Sequence, residues 1–320
     1  MTWYKLSPRS ARLGASALSA CLFTLAACDA GEVFQPQTEA PLETTDAVGE
    51  EPGTEVIAFD DTELAAVSRR GIPIGHFAQP LSAFGRTYNG GHQNFSPGSI
   101  VRELNSIRAR GGRVVIAFSG SPKYYRVNGH FSFEKWKSRV NRFKGINLGP
   151  FIADGTIIGH YLIDEPNDPR NWGGRPVSPS TLEQMARYSK QLWPRMSTIV
   201  RVEPGYLGRN HHYLDAAWAQ YLHRKGPVES FLRRNVAAAQ DRRLGLVVGL
   251  NVLKGGIPNG TRMSAIEVKQ WGGALLGSSY PCAFISWTYN RTYLSSRGMG
   301  EAMRALRHKA ESRSARSCRG

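Results

Sequence analysis

Ile157-Ile158-Gly159-His160-Tyr161-Leu162-Ile163-Asp164-Glu165-Pro166 is the stretch on which the reading of this chain turns. A mostly apolar run passes without a break into two carboxylates and a proline. A run of this length closed by turn chemistry reads as a buried core strand. Two carboxylates at the exit of such a strand are costly to place unless something uses them. Where parallel strands feed loops at one end, those loops form the active face. The plainer alternative is a surface loop that opens with two solvated acids.

Working outward, the same alternation recurs. Strand-like runs occupy 72–77, 113–118, 157–163, 198–203, 214–219, 245–250 and 283–288. Runs with helical periodicity occupy 98–110, 132–144, 179–193, 227–242, 263–275 and 298–311. Ser180 and Ser264 stand where N-caps belong, and Gly111, Gly112 and Gly145 where helices should stop. Regular alternation predicts a parallel sheet covered by helices. With seven such strands, a (β/α)8 TIM barrel over 67–320 is the best fit. The eighth strand is expected within 81–90 or 146–153, or the barrel is irregular. A doubly wound sheet is the runner-up. It usually opens with a glycine-rich turn after its first strand, and His76-Phe77-Ala78-Gln79-Pro80 is not one.

The N-terminus carries a different signal. Lys5, Arg9 and Arg12 precede an uncharged apolar stretch from Leu13 to Ala27. This is the pattern of an export signal, too short to read first as a membrane span. It ends Leu25-Ala26-Ala27-Cys28, which resembles a bacterial lipobox. The resemblance implies cleavage after residue 27 and lipid on Cys28, tethering an exported protein to a membrane surface on the periplasmic or cell-surface side. Ordinary signal cleavage nearby is the alternative. Residues 28–66 then read as a disordered acidic linker, with eleven Asp or Glu from Asp29 to Glu63 and no Lys or Arg.

Charge reverses after the linker. Residues 64–320 hold 38 Lys+Arg against 14 Asp+Glu, a net charge near +24. Such an excess points to an anionic partner. No nucleic-acid motif is present, so an anionic glycan or lipid surface is ranked above nucleic acid, with an anionic polysaccharide as the expected partner. Cys282 and Cys318 are expected to form a disulfide, because an oxidising compartment preserves one. A helix after the last strand would also return the chain to that strand's start. No metal site or cofactor is expected: His211-His212 is adjacent, and Walker and Gly-x-Ser-x-Gly motifs are absent. The domain is expected to be a monomer.

The fourteen carboxylates can be sorted by place. Glu103, Glu134, Glu183, Glu229, Asp241, Glu267, Glu301 and Glu311 fall on helices, where solvated faces account for them, and Asp154 sits in an Asp-Gly turn. Asp164, Glu165 and Glu203 remain at C-terminal ends of strands, with Asp168 in a loop and Asp215 near a strand start. Strand parity turns Glu203 inward together with Arg201. Parity leaves open which of Asp164 and Glu165 points inward. Tyr124, Tyr125, Tyr161, Trp172, Tyr206, Trp218, Trp287 and Tyr289 lie near strand ends, where aromatic faces suit sugar rings. Core packing is the alternative for each one alone. His76 is either a mouth residue or a core histidine.

Leu162-Ile163-Asp164-Glu165-Pro166 resembles the acid/base region of clan A glycoside hydrolase barrels, whose usual form is Asn-Glu-Pro after the fourth strand. Phe284-Ile285-Ser286-Trp287-Thr288-Tyr289 is similar to their last strand, whose Trp lines the sugar site. The resemblance covers about 72–310 as an architecture. It implies that Glu165 is the acid/base and Trp287 the sugar platform. Those enzymes also carry a nucleophilic Glu near the end of the seventh strand, and here the corresponding run is Leu250-Asn251-Val252. A two-carboxylate mechanism needs a second acid. Glu203 is the candidate, while Asp164 could instead tune Glu165. Substrate contacts are expected from His76, Tyr124, Tyr161, Trp172, Arg201, Tyr206, Trp218, Asn251, Trp287 and Tyr289. The expected activity is glycoside hydrolysis on an anionic or cell-envelope polysaccharide. The alternative is a catalytically inactive barrel that binds such a glycan.

Overall fold

The computed structural model describes residues 71–319. The expected signal segment 1–27, Cys28 and the acidic segment 28–66 lie outside them. Eight strands form a closed, all-parallel barrel: β1 (Ile74–His76), β2 (Gly90–Asn94), β3 (Arg113–Ala117), β4 (Ile157–Asp164), β5 (Thr198–Arg201), β6 (Ala216–Tyr221), β7 (Gly245–Leu250) and β8 (Ala283–Ser286). Neighbours follow chain order, and β1 closes the ring against both β8 and β2. The (β/α)8 barrel is therefore the fold.

Helices α1 (Ile100–Ala109), α2 (Phe133–Asn141), α3 (Gly149–Ala153), α4 (Pro179–Leu192), α5 (Val228–Asp241), α6 (Ala265–Leu275), α7 (Arg291–Leu294) and α8 (Met299–Glu311) occupy the connections. Their apolar spacing explains the packing. In α4, Leu182, Met185, Ala186 and Ser189 recur at three- and four-residue intervals and are all buried. Each fully buried Leu or Met in such a stripe contributes roughly 1.5–3 kcal/mol. The cap of α4 is Ser178, not Ser180: the Ser178 hydroxyl accepts from Thr181 N at 3.2 Å, and Pro179 takes the first helical position. Ser264 does cap α6, in a reciprocal box with Glu267.

The eighth strand is β2, which begins at the last residue of the 81–90 window. The other window holds α3. The sequence of β2, Gly90-Gly91-His92-Gln93-Asn94, has no apolar alternation. Closure explains this: a Cβ added at Gly75 would fall 1.8 Å from Gly90 O, so the two strands meet through glycine. The barrel is irregular in a second respect. After β1 and β5 the chain makes only short 3-10 turns, Leu81–Ala83 and Pro204–Tyr206, in place of α-helices.

Cys282, just before β8, and Cys318, beyond α8, form a disulfide with Cα atoms 5.2 Å apart. The last helix returns the chain to the N-terminal end of the barrel, and the bond holds the tail there.

Candidate active site

At the C-terminal end of the barrel, one guanidinium organises the mouth. Arg201, the last residue of β5, is buried. Its Nε donates to Asp164 Oδ1, its Nη2 lies 3.1 Å from Glu165 Oε1, and its Nη1 donates to Gln220 Oε1 at 2.6 Å. Its flat face lies 4.4 Å from the Trp287 ring centroid, in cation–π geometry. Burial works against its charge, but Asp164, Tyr161 and Glu165 outweigh that and raise its pKa further above the ordinary guanidinium value.

Neighbouring residues of an extended strand point to opposite faces, yet both carboxylates reach the same arginine. Two local features allow this. The β4–β5 register shifts between Tyr161 and Asp164. Glu165 then adopts φ +37°, a left-handed conformation rare for a side-chain-bearing residue. The surroundings hold it there. Glu165 N donates to Arg201 O at 3.1 Å, and Glu165 O accepts from Trp172 Nε1 at 3.0 Å and from Asp168 N at 3.1 Å. Such conformations cost roughly 1–3 kcal/mol and gather at functional sites.

Two cavities meet at Glu165 and Arg201. The first, about 290 Å³, is lined by Arg126, Asp164, Glu165, Trp172, Asn251 and Trp287 together with Arg201. The second, about 650 Å³, includes Glu165, Arg201, Glu203, Tyr206, Trp218 and Lys225. Glu165 and Arg201 border both. Glu165 is about half exposed (48%), so its carboxylate is open to a ligand while Asp164 is more enclosed (26%).

Glu203 is placed differently from the parity argument. The strand ends at Arg201, so alternation stops before Glu203, which instead precedes the 3-10 turn. Its carboxylate meets Lys225 Nζ at 2.6 Å and Asn235 Nδ2 of α5 at 3.2 Å. It nevertheless lines the cavity that Glu165 lines. Asn251 follows β7 and pairs as an isolated bridge with Trp287.

Beneath the mouth the barrel is plugged by aromatic rings. Phe77 stacks on His92 at 3.8 Å and leans on Trp287 at 4.5 Å, and His92, Tyr161 and Trp218 close the set. Trp218 is fully buried and donates its indole N–H to Ile285 O at 3.1 Å. Trp172 is likewise fully buried, with the Arg126 guanidinium 4.8 Å over its ring. Tyr161 is enclosed. Burial, then the Asp164 charge, lifts its phenol well above the usual value. His76 is a core histidine, packed edge-on against Tyr88 and lowered by burial to a pKa of about 3. His92 falls to about 3 as well, through burial and then the Arg201 charge.

Of the expected substrate contacts, Trp172, Arg201, Tyr206, Trp218, Asn251 and Trp287 border the two cavities. His76, Tyr124, Tyr161 and Tyr289 line neither. Tyr124 is exposed beneath the Arg139 guanidinium, 4.2 Å away. Sequence reasoning missed Arg126, Gln220 and Lys225. Gln220 carried a usable signal, a polar residue inside the buried strand Ala216–Tyr221. Glu183 was also misjudged as merely solvated: its carboxylate accepts from the backbone N–H groups of His212, Tyr213 and Leu214 at 2.7, 2.9 and 3.2 Å. Burial opposes its charge, and these bonds with His211 bring its pKa below the usual carboxylate value. No group of three metal-ligating side chains occurs among the described residues.

No protein-family model matches the chain, and no curated protein does. Solved structures share the fold. One is the exo-β-1,4-mannosidase Op5Man5 from Opitutaceae bacterium strain TAV5, with TM-score 0.50 and 13% identity over 76% of this chain and 60% of that one. Another is ScGas2 in complex with a small compound, with TM-score 0.51 and 10% identity over 77% of this chain and 67% of that one. This chain thus spans three fifths of the mannosidase's length. The likeness is one of architecture, the eight-stranded parallel barrel.

Proposed function

We propose that the protein is a glycoside hydrolase acting on a cell-envelope polysaccharide. The observation that carries this is Glu165: it stands at the end of β4, half exposed, fixed by its own backbone and by Arg201, at the junction of two mouth cavities beside Trp287. In this reading Glu165 donates the proton to the leaving oxygen. Glu203, positioned by Lys225, serves as the second carboxylate across the larger cavity. Trp287 supplies an aromatic wall for a sugar ring. The likeness to a mannosidase barrel supports the class of reaction. We further propose that the protein works at a membrane, tethered through lipid on Cys28.

The first cavity is lined by two acids and two arginines and is balanced in charge. An acidic polymer is therefore attracted by the domain as a whole rather than selected in the cavity. A second reading, glycan binding without cleavage, is favoured by Asn251, which stands where clan A barrels carry their nucleophile. The test is a screen of neutral and acidic envelope polysaccharides with wild type, Glu165→Gln and Glu203→Gln. Hydrolysis that falls roughly 10²–10⁴-fold in Glu165→Gln, with binding retained, supports the assignment. Undiminished hydrolysis in that variant refutes it. Binding at the mouth with no hydrolysis in wild type transfers the conclusion to the second reading.

A further inference from the structure

The opposite end of the barrel is not charge-balanced. A cavity of about 390 Å³ opens there, beside the Cys282–Cys318 disulfide. Arg113, Arg195, Arg316 and Arg319 line it, with Asp154 as the one acid. Asp154 is already engaged: its Oδ1 accepts from Thr156 N at 2.9 Å and its Oδ2 pairs with Arg108. Arg113, Arg195 and Arg316 make no ion pair among the described residues, and Arg319 makes only a long one. Arg113 Nη2 donates to Gly71 O at 3.1 Å, but its Nε is buried with no partner among the described residues. Arg316 lies over the Tyr280 ring at 4.2 Å and makes no ion pair among the described residues. Arg319 donates to Pro194 O at 3.2 Å and forms a long ion pair with Asp215 at 3.8 Å. Arg195 is exposed.

Arg195, Arg316 and Arg319 reach solvent, whereas Arg113 is part-buried, where the loss of water works against its charge. Burial and then the charge of Arg307 bring Arg113 down to about 10. Burial and then Arg316 lower Arg313, whose Nη1 is also buried without a partner among the described residues. An oxyanion with several acceptor oxygens would supply what these groups lack, since guanidinium forks match phosphate geometry.

We propose that this cavity is a binding site for a phosphate group, on the end of the barrel remote from Glu165. Three of its four arginines sit on segments fixed by the fold: Arg113 opens β3, and Arg316 and Arg319 flank the disulfide-bonded Cys318. The disulfide thus pre-organises the site. Two sources present the same chemistry, a soluble phosphate ester and an anionic lipid headgroup. The chain enters the described fold at this end, through Gly71, beside Arg113.

The test uses the full chain carrying Cys28→Ser, so that attached lipid plays no part. Inorganic phosphate and glycerol phosphate are titrated at fixed ionic strength. Flotation is measured with phosphatidylcholine vesicles, with and without phosphatidylglycerol. The expected result is saturable phosphate binding that weakens at least about tenfold in Arg195→Gln/Arg316→Gln/Arg319→Gln, with unchanged thermal stability in phosphate-free buffer. Flotation only with phosphatidylglycerol, lost in the same variant, assigns the headgroup. Phosphate binding without flotation assigns a soluble ester. Arg316→Lys/Arg319→Lys keeps the charge but not the fork, so it should bind more weakly than wild type. Absence of both phosphate binding and flotation overturns the proposal, as does equal binding by wild type and the triple variant.

Discussion

Replacing Arg201 with Met removes the one group that joins both strand-end carboxylates, Gln220 and Trp287. Breaking a buried ion pair costs about 3–5 kcal/mol when the remaining charge has no other partner. The exposures set where in that range this case falls. Glu165 is 48% exposed and regains water, so its share is small. Asp164 is 26% exposed and rehydrates only in part, which leaves about 2 kcal/mol. Gln220 is buried, and its Oε1 loses the Arg201 bond, adding about 1 kcal/mol. Methionine keeps much of the contact with Trp287 through its sulfur. The expected loss is therefore about 3 kcal/mol in urea unfolding at neutral pH. Arg201→Lys keeps the charge without the fork and should lose roughly half of that. Asp164→Asn/Arg201→Met leaves less unpaired charge, so it should cost less than the two single changes added together. If Glu165 is the acid, its carboxylate also loses its orientation, and turnover should drop roughly 10²-fold. A stability change in Arg201→Met below about 0.5 kcal/mol would falsify the clamp.

Acid should unfold the domain early. His76, His92 and His160 are fully enclosed with pKa values lowered to about 3 by burial. The unfolded chain binds their protons near pH 6.5, so stability is complete above that value and falls as pH drops toward 3. The loss is on the order of 2 kcal/mol per histidine at pH 5, and urea midpoints flat from pH 7.5 to 5 would contradict it. Removing the disulfide by Cys282→Ser/Cys318→Ser opens a loop with sequence separation 36. The chain-entropy model gives a cost of roughly 4 kcal/mol, to be read from thermal unfolding; an unchanged midpoint would reject it. Cys28→Ser should release the protein from membranes washed in high salt, and continued sedimentation would exclude the lipid tether.

What could be read from sequence follows from how local each signal is. β4 was legible because its apolar run, its acids and its proline are contiguous. β2 was not, because closure against β1 requires glycine where a strand normally shows its alternation. Asp164 and Glu165 were placed at the mouth by the strand end. Their shared arginine depends on a register shift and on one left-handed residue, neither of which leaves a mark in composition. Glu203 lines the mouth cavity as expected, but through the turn after β5 and not through strand parity, since β5 stops two residues earlier. Glu183 looked like a surface acid because its partners, the amides of 212–214, are distant in sequence.

Net charge is the feature whose meaning changed most once it had a location. The excess near +24 pointed to an anionic partner without saying where on the domain it binds. The smaller mouth cavity has as many acids as arginines, whereas the cavity at the other end has four arginines and one acid already paired. An eight-residue strand such as β4 runs roughly 26 Å along its own axis, which the barrel tilt shortens to roughly 21 Å between the two ends. That is more than two Debye lengths at physiological salt, so the solvent-exposed arginines at one end are strongly screened from the other. The far arginines therefore contribute little to the field at Glu165. Their charge is free to serve attachment while the mouth serves chemistry, and a sequence-wide sum cannot distinguish those two uses.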